Sequence, residues 1–442
     1  MEMNIKSIPL DSVFPILCIQ DEVIVSKRGE ITLGWKVSLP PMCSLTKDDH
    51  SDRLDALCSA VQSLGANFIV HRQDWFIKTN YSAEGCSSFL ADAYERHFDG
   101  REHLTHEQYL FLTLTLKESS SRGISSGGFF EIISPKKEHL ARDLAILESK
   151  ASEFDSILTG RGRMKLTRLD DNQLTSITAS VMSLADKDGI YSDVKVGSDS
   201  IEISGKSLWA YSIGESYLLP SLINPCLKAD HLSAPGSAIH LSTAAAIGPL
   251  LECEHIVNTS IFTINQSDST REVDGRRRRM TSMSKNAENK VGAEELDHFL
   301  DLSHKEQLTT VKTNTNILVW GDRSQEQELR GKVSSALSGM GITCVQATFD
   351  APILWYSSIP GAAGEISSDN LRKGELKESL CLGIGETFEH DMENGILKMC
   401  DRFRNIPVRI DIQAAAYQAG IIDNYNAFIL GGSGTGKSFF TN

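Results

Sequence analysis

The sequence predicts an α+β protein made of two small sheet-plus-helix layers that lead into a glycine-rich loop. Three observations predict it. Short apolar and β-branched runs recur in both halves, helical-period stripes lie between them, and each half reads as a β-α-β-α-β succession. The expected division is 1–220 for a first α+β region, 221–365 for a second, and 366–442 for a third that opens with a new strand. The 442 residues agree, because roughly 150 residues per domain imply about three domains. Hydrophobic residues at 40% and charged residues at 23% can fill more than one core and exclude disordered and collagen-like classes.

In chain order, Ile16 to Leu39 alternates β-branched runs around a Lys27-Arg28-Gly29-Glu30 turn, which reads as a hairpin or small meander. Asp48 and Asp49 suit the positive end of a helix, and Leu54, Leu57, Cys58, Val61 and Leu64 follow at helical spacing up to Gly65. A strand over 67–78, a short helix over 87–98 and a strand over 109–116 come next. In the last of these, Leu110, Leu112, Leu114 and Leu116 share one face. Ser119 to Gly128 has the composition of a surface loop. Leu140, Leu144, Leu147, Phe154 and Leu158 stripe a long helix closed by Gly160. Short strands fill 193–212, and Pro220, Pro225, Pro235 and Gly236 mark a connector between the halves.

The second half repeats this order without repeating the sequence. A strand over 255–264, helical material over 270–308 and a strand over 315–320 precede a helix carrying Leu329, Val333, Leu337 and Met340 on one face. Strands over 343–347 and 408–412 and an apolar strand over 427–430 follow. Trp75 and Trp320 fall in strand-like runs and are expected in the core.

The strand Ala427 to Leu430 runs directly into Gly431-Gly432-Ser433-Gly434-Thr435-Gly436-Lys437-Ser438, which satisfies G-x-x-x-x-G-K-[ST]. Glycines let the backbone take positive φ and approach a phosphate closely, so that successive N–H groups surround the anion. Lys437 is placed to reach the β- and γ-phosphates of ATP, and Ser438 to ligate Mg²⁺. A helix starting near Lys437 adds the positive end of its dipole. The competing reading is a glycine-rich linker. The dinucleotide pattern G-x-G-x-x-G is not met here, because Gly432 and Gly434 are followed by Lys437.

Forty-four Lys and Arg against 58 Asp and Glu leave a net charge of −14, which opposes a surface built throughout for nucleic acid. One stretch departs from this balance. Residues 270–290 hold seven basic side chains, among them Arg276, Arg277, Arg278 and Arg279, against three acidic ones. That run reads either as a patch for DNA phosphate, anionic lipid or an acidic partner, or as a solvated helix face. Cys253-Glu254-His255, Glu389-His390-Asp391 and His103 with His106-Glu107 lack the spacing of a metal site and read as structural. The N-terminus lacks the pattern of a signal peptide, and no apolar run reaches the roughly 20 residues of a membrane-spanning helix. Nine scattered cysteines suit a reducing, cytoplasmic setting.

The runs Gln73-Asp74-Trp75-Phe76-Ile77-Lys78, Tyr109-Leu110-Phe111-Leu112-Thr113, Gly385-Glu386-Thr387 and Gly431 to Asn442 resemble conjugative-transposon ATPases of the TraG type. Those proteins are similar to type IV secretion assembly ATPases, and the resemblance covers nearly the whole chain. It implies an N-terminal α+β region that docks on inner-membrane conjugation channel proteins, followed by the start of a RecA-like α/β motor domain. It further implies a hexameric working form at the inner face of the inner membrane, where ATP hydrolysis drives channel assembly or substrate translocation. By matching positions, the nucleotide-binding lysine and the Mg²⁺-binding hydroxyl fall on Lys437 and Ser438. The sequence stops four residues after Ser438. The Walker B carboxylates of the family pattern are therefore expected beyond Asn442, the full-length parent is expected to hydrolyse ATP, and this chain alone is expected to be inactive. The alternative is a non-catalytic docking module with a vestigial P-loop.

Overall fold

The computed structural model describes residues 14–42, 44–85, 89–115, 137–185, 193–220, 222–229, 239–282, 287–306, 308–392, 395, 397–418, 420 and 422–435. The expected loop from Ser119 to Gly128, Leu116, Pro235, Gly236, and the motif residues Gly436, Lys437 and Ser438 lie outside the described residues. The chain divides into two compact units, residues 1–79 with 104–387 and residues 80–103 with 388–442.

The first unit is organised by one sheet. Its strands are β1 (Ile16–Gln20), β2 (Val23–Ser26), β3 (Ile31–Ser38), β4 (Phe68–Asn80), β5 (Glu102–Leu114), β6 (Lys165–Arg168), β7 (Lys195–Val196), β8 (Ile201–Ile203) and β9 (Lys206–Ile213). After the separate ribbon β10 (Cys226–Lys228) and β11 (His240–Ser242) come β12 (His255–Thr263), β13 (Thr310–Gly321), β14 (Gln346–Ala347) and β15 (Arg372–Glu375). The order is β1-β2-β3-β5-β4-β12-β13-β9-β8-β7, with β6 on β3, β14 on β9 and β15 on β13.

This corrects the expectation of two separate layers. β4 from the first half pairs antiparallel with β12 from the second, from His255 opposite Phe76 to Phe262 opposite Ile69. Both strands are buried on two faces, and an unpaired edge of that kind would leave open N–H and C=O groups beside buried side chains. Joining the halves covers both edges. The strand expected over 343–347 shrinks to the short β14, which pairs with β9.

Alternation along the strands sends side chains into two cores. Val70, Leu110, Leu112, Ile261 and Val311 pack with Leu54, Val61 and Leu64 of helix Lys47–Leu64 and with Leu147, Phe154 and Leu158 of helix Lys137–Gly160. On the opposite face, Trp75, Phe111, Ile256, Leu318 and Trp320 pack with Leu174, Ile177 and Val181 of helix Asp171–Ser183 and with Leu354 and Trp355 of helix Ala351–Ser357. Trp75 and Trp320 are thus core residues, as their setting in the sequence indicates. Helix Lys47–Leu64 begins with a capping box: the Asp49 N–H donates to Thr46 Oγ1 at 3.2 Å and the Thr46 N–H donates to Asp49 Oδ2 at 2.9 Å. It stops at Gly65, whose φ of +78° suits a residue without Cβ.

A band of buried amides crosses the middle of the sheet on the tryptophan face. Gln73 Nε2 donates to Asn258 Oδ1 at 2.9 Å, Asn258 Nδ2 to Asn316 Oδ1 at 3.1 Å, and Asn316 Nδ2 to Asn314 Oδ1 at 3.0 Å. Such a ladder is satisfied only when β4, β12 and β13 are in this one register, because a slip by one residue would bury the amides without partners.

The second unit contains helix Phe89–Phe98, the antiparallel ribbon of β16 (Leu397–Cys400) with β17 (Pro407–Ile410), and the short helix Ala414–Gln418. Glu95, 1% exposed, pins it together. Its carboxylate accepts from Tyr81 Oη at 2.8 Å, the Glu84 N–H at 3.1 Å and Lys398 Nζ at 2.6 Å. Arg101 Nη1 donates to Asn405 O at 2.9 Å. Residues 80–103 therefore fold with a ribbon some 300 positions later in the chain.

Among the described residues, no helix is long and apolar enough to cross a membrane. The described cysteines are free thiols; Cys18 and Cys400 are exposed, whereas burial pushes the Cys58, Cys253 and Cys381 thiols up to about 12. Because the thiolate is the nucleophile, Cys18 and Cys400 are expected to react first in a native titration and those three only after denaturation. The non-reducing denatured count is expected near the nine cysteines of the sequence. A count near one would overturn the reduced state.

Candidate functional site

The described part of the glycine-rich loop is a solvent-exposed turn. Gly434 takes φ +81°, and Thr435 Oγ1 donates to Gly432 O at 2.8 Å. Residues 431–435 are all exposed. The approach is tied to the preceding helix, since Gln413 Nε2 donates to Tyr425 O at 2.8 Å and the Tyr417 and Tyr425 rings lie 5.0 Å apart.

The strand expected over Ala427 to Leu430 is not formed. These residues lie outside any strand, with Phe428 88% and Leu430 85% exposed. An uninterrupted apolar strand of this type is stable only when flanked by parallel neighbours and covered on both faces. Nothing among the described residues supplies either, so the strand expected at 427–430 is not found among them.

The arginine run lies on helix Gln266–Ser282, with Arg276, Arg278 and Arg279 exposed. Arg277 pairs with Asp274 at 2.8 Å and Asp297 at 2.9 Å, and Arg278 with Asp274 at 2.7 Å. Local carboxylates thus draw on two of the four guanidinium groups.

A second concentration of polar groups sits inside the first unit. Arg72, Asp74 and Phe76 alternate along β4 on the face that carries Val70. Asp74 is 2% exposed and lies 3.2 Å from Arg72 Nε and 3.1 Å from His106 Nε2, and it accepts from Gln108 Nε2. Burial acts to raise its carboxyl, but the Arg72 charge and the bonds from His106 and Gln108 outweigh burial and hold it below the ordinary value. His106 Nδ1 lies 3.0 Å from Thr387 Oγ1. The Phe76 ring is stacked between His106 and His255, at centroid distances of 4.2 and 4.5 Å.

The chain passes through this cluster a second time at Gly385-Glu386-Thr387. The Thr387 N–H donates to Pro40 O at 2.9 Å, and the Met42 N–H donates to Thr387 O at 2.7 Å. Glu386 Oε1 accepts from both the N–H and the Oγ of Ser242, each at 2.8 Å. Burial pushes the Glu386 carboxyl up to about 7.

His106 therefore has a structural partner in Asp74. His255 has two carbonyl neighbours, Cys253 O at 2.8 Å from Nδ1 and Ile247 O at 3.0 Å from Nε2. Asp391 Oδ1 accepts from the Arg409 N–H at 2.7 Å. Among the described residues no group of three or more His, Cys, Asp or Glu side chains is placed to hold a metal ion. The sequence signals for the buried cluster were the runs around Asp74 and Glu386, whose residue types alone carry no indication that they meet.

Two family models match the chain, one at each end. A model described as a domain of unknown function, B. Theta gene description (DUF3875), matches residues 4–52. The TraG P-loop domain model matches residues 396–442, the stretch that holds the glycine-rich loop. No curated protein matches the chain. A P-loop domain implies nucleotide binding in general, through backbone N–H groups turned on a phosphate. The match over residues 396–442 supports a TraG-type conjugative ATPase region there.

Proposed function

We propose that the chain is the N-terminal region of a conjugation ATPase of the type IV secretion kind, which couples ATP binding and hydrolysis to assembly of a DNA-transfer channel or to substrate translocation. The observation that carries this reading is the run Gly431 to Ser438 inside the matched P-loop segment. In it Gly431, Gly432, Ser433, Gly434, Thr435 and Gly436 cradle the phosphates, Lys437 neutralises them, and Ser438 holds Mg²⁺. The matched segment 396–442 begins the motor, which works as a hexamer. The large antiparallel sheet that precedes it is the part that docks on inner-membrane channel proteins. The test is genetic: deleting the gene from a strain that carries a conjugative element should abolish DNA transfer, and complementation should restore it. Transfer at the parental frequency in the deletion strain would sink the reading.

A second reading, a docking module with a vestigial P-loop, is favoured by the exposed, strandless approach at 427–430. It predicts that a Lys437→Ala gene complements transfer as well as the parental one does.

Peripheral membrane contact at the inner face belongs to the same proposal and rests on Arg276, Arg277, Arg278 and Arg279. Exposed guanidinium groups attract an anionic surface only within a Debye length of about 8 Å at physiological salt. Replacing all four with Ser is expected to weaken sedimentation with anionic vesicles at low salt by several-fold. Unchanged sedimentation would remove the membrane part and leave the rest.

A further inference from the structure

A cavity of about 40 Å³ opens in the first unit between His50 and Arg53 of helix Lys47–Leu64, Arg72 of β4, Ser242 of β11, and the backbone at Gly383 and Gly385. Two of its walls are cationic. Arg53 Nη2 and Arg72 Nη2 are both buried and have no hydrogen-bond partner among the described residues. Arg72 gives its Nε to Asp74 at 3.2 Å, while its Nη2 stays unpartnered. Burial, and then the neighbouring Arg72 charge, lower the Arg53 guanidinium from its ordinary value, so the two cations are close enough to repel.

The nearby acid does not close this gap. Glu386 turns Oε1 to Ser242, and its Oε2 is itself buried without a partner. Two guanidinium charges that persist at any ordinary pH thus face one carboxylate paired with Arg72, Asp74, one carboxyl held by a serine, Glu386, and the more distant charge of Asp49, which is capped by Thr46. Unmatched guanidinium N–H groups in a dry setting are costly, and their fork geometry matches the oxygens of a carboxylate or phosphate. Gly383 keeps the space open: a Cβ there would stand 2.5 Å from Arg72 Nη1. Since one water takes about 10–15 Å³ on this measure, the cavity holds a group of a few heavy atoms and excludes a nucleotide.

We propose that this cavity is a binding site for a small oxyanion, held between the open edges of Arg53 and Arg72. It is separate from the glycine-rich loop and does not depend on the function proposed above. Glu386 competes with the anion for the same two charges, so its removal should strengthen binding while a glutamine oxygen still serves Ser242.

The test is isothermal titration of the 442-residue chain, in a Lys437→Ala background so that heat from the glycine-rich loop is absent, with sodium phosphate and separately with sodium acetate at low salt. A Kd on the order of 1 mM is expected for at least one of them. Phosphate alone would identify a tetrahedral anion as the ligand; acetate binding would identify a carboxylate. Glu386→Gln is expected to tighten binding several-fold. Arg53→Gln is expected to weaken it about tenfold or more, and Arg53→Lys, which keeps the charge without the fork, to weaken it too if the glutamine variant does not fold. No heat from either anion up to about 10 mM, or binding unchanged in the folded Arg53 variant, would overturn the proposal.

Discussion

Lys437→Ala is expected to abolish nucleotide hydrolysis in a form of the protein that carries the complete motor. The lysine supplies charge-assisted hydrogen bonds to two phosphates, each worth about 1.5–3 kcal/mol, and loss of both corresponds to a fall on the order of 100-fold or more in rate. For the 442-residue chain the expectation differs: ATP·Mg²⁺ binds weakly or not at all and is not turned over. Its approach residues Phe428 and Leu430 lie in solvent instead of in a sheet. Without that sheet the loop's N–H groups are not held on one centre. Calorimetric binding and phosphate release, measured on both forms with and without Lys437→Ala, check both statements. Hydrolysis by the shorter chain that disappears on Lys437→Ala would refute the second, and an active longer Lys437→Ala variant would refute the first.

Acid is expected to destabilise the first unit through two buried histidines, His71 and His255. Burial lowers His71 and His255 to about 4, from the ordinary 6.5. His71 Nε2 lies 3.0 Å from Asn258 Oδ1 within the amide band, and His255 stacks on Phe76. As pH falls below 6.5 the unfolded chain takes up these protons while the folded chain does not, so stability is complete above 6.5 and declines towards pH 4. Each histidine contributes a slope of about 1.4 kcal/mol per pH unit, and Glu386, whose buried carboxyl is raised to about 7 and so takes its proton in the folded chain first, offsets about one of the two between pH 6.5 and 4.5. Asp74, held below its ordinary value, adds its own loss only at still lower pH. Urea unfolding followed from about pH 8 to about pH 5 should show the net slope, and His71→Gln should lower it by about 1.4 kcal/mol per pH unit. An unchanged slope in both His71→Gln and His255→Gln would contradict the buried neutral state.

Local order was legible wherever a short stretch carries its own reason for its conformation. Helix Lys47–Leu64 follows from the acidic first turn, the leucine spacing and Gly65, and the structure adds only that Asp49 acts as half of a capping box. The alternating leucines of β5 specify a buried face, and Phe111 between them is buried on the other side. The glycine-rich loop was legible because its chemistry is written in consecutive residues.

Pairing was not legible, because alternation encodes which face of a strand is buried and not which strand lies beside it. The union of β4 with β12 makes one sheet out of two expected layers, and only tertiary structure selects it, through edges that must be covered and amides that must be matched. The same applies to the meeting of Asp74, His106 and Thr387, and to Glu95 with Lys398, whose partners lie far apart in sequence. At 427–430 the composition asks for a strand and the described surroundings offer no neighbour, so an apolar run remains in solvent. Residue type and spacing determined the elements and the phosphate-binding motif; the sheet, the buried charges and the oxyanion cavity were decided by long-range packing, because desolvation and hydrogen-bond matching act between groups the sequence keeps apart.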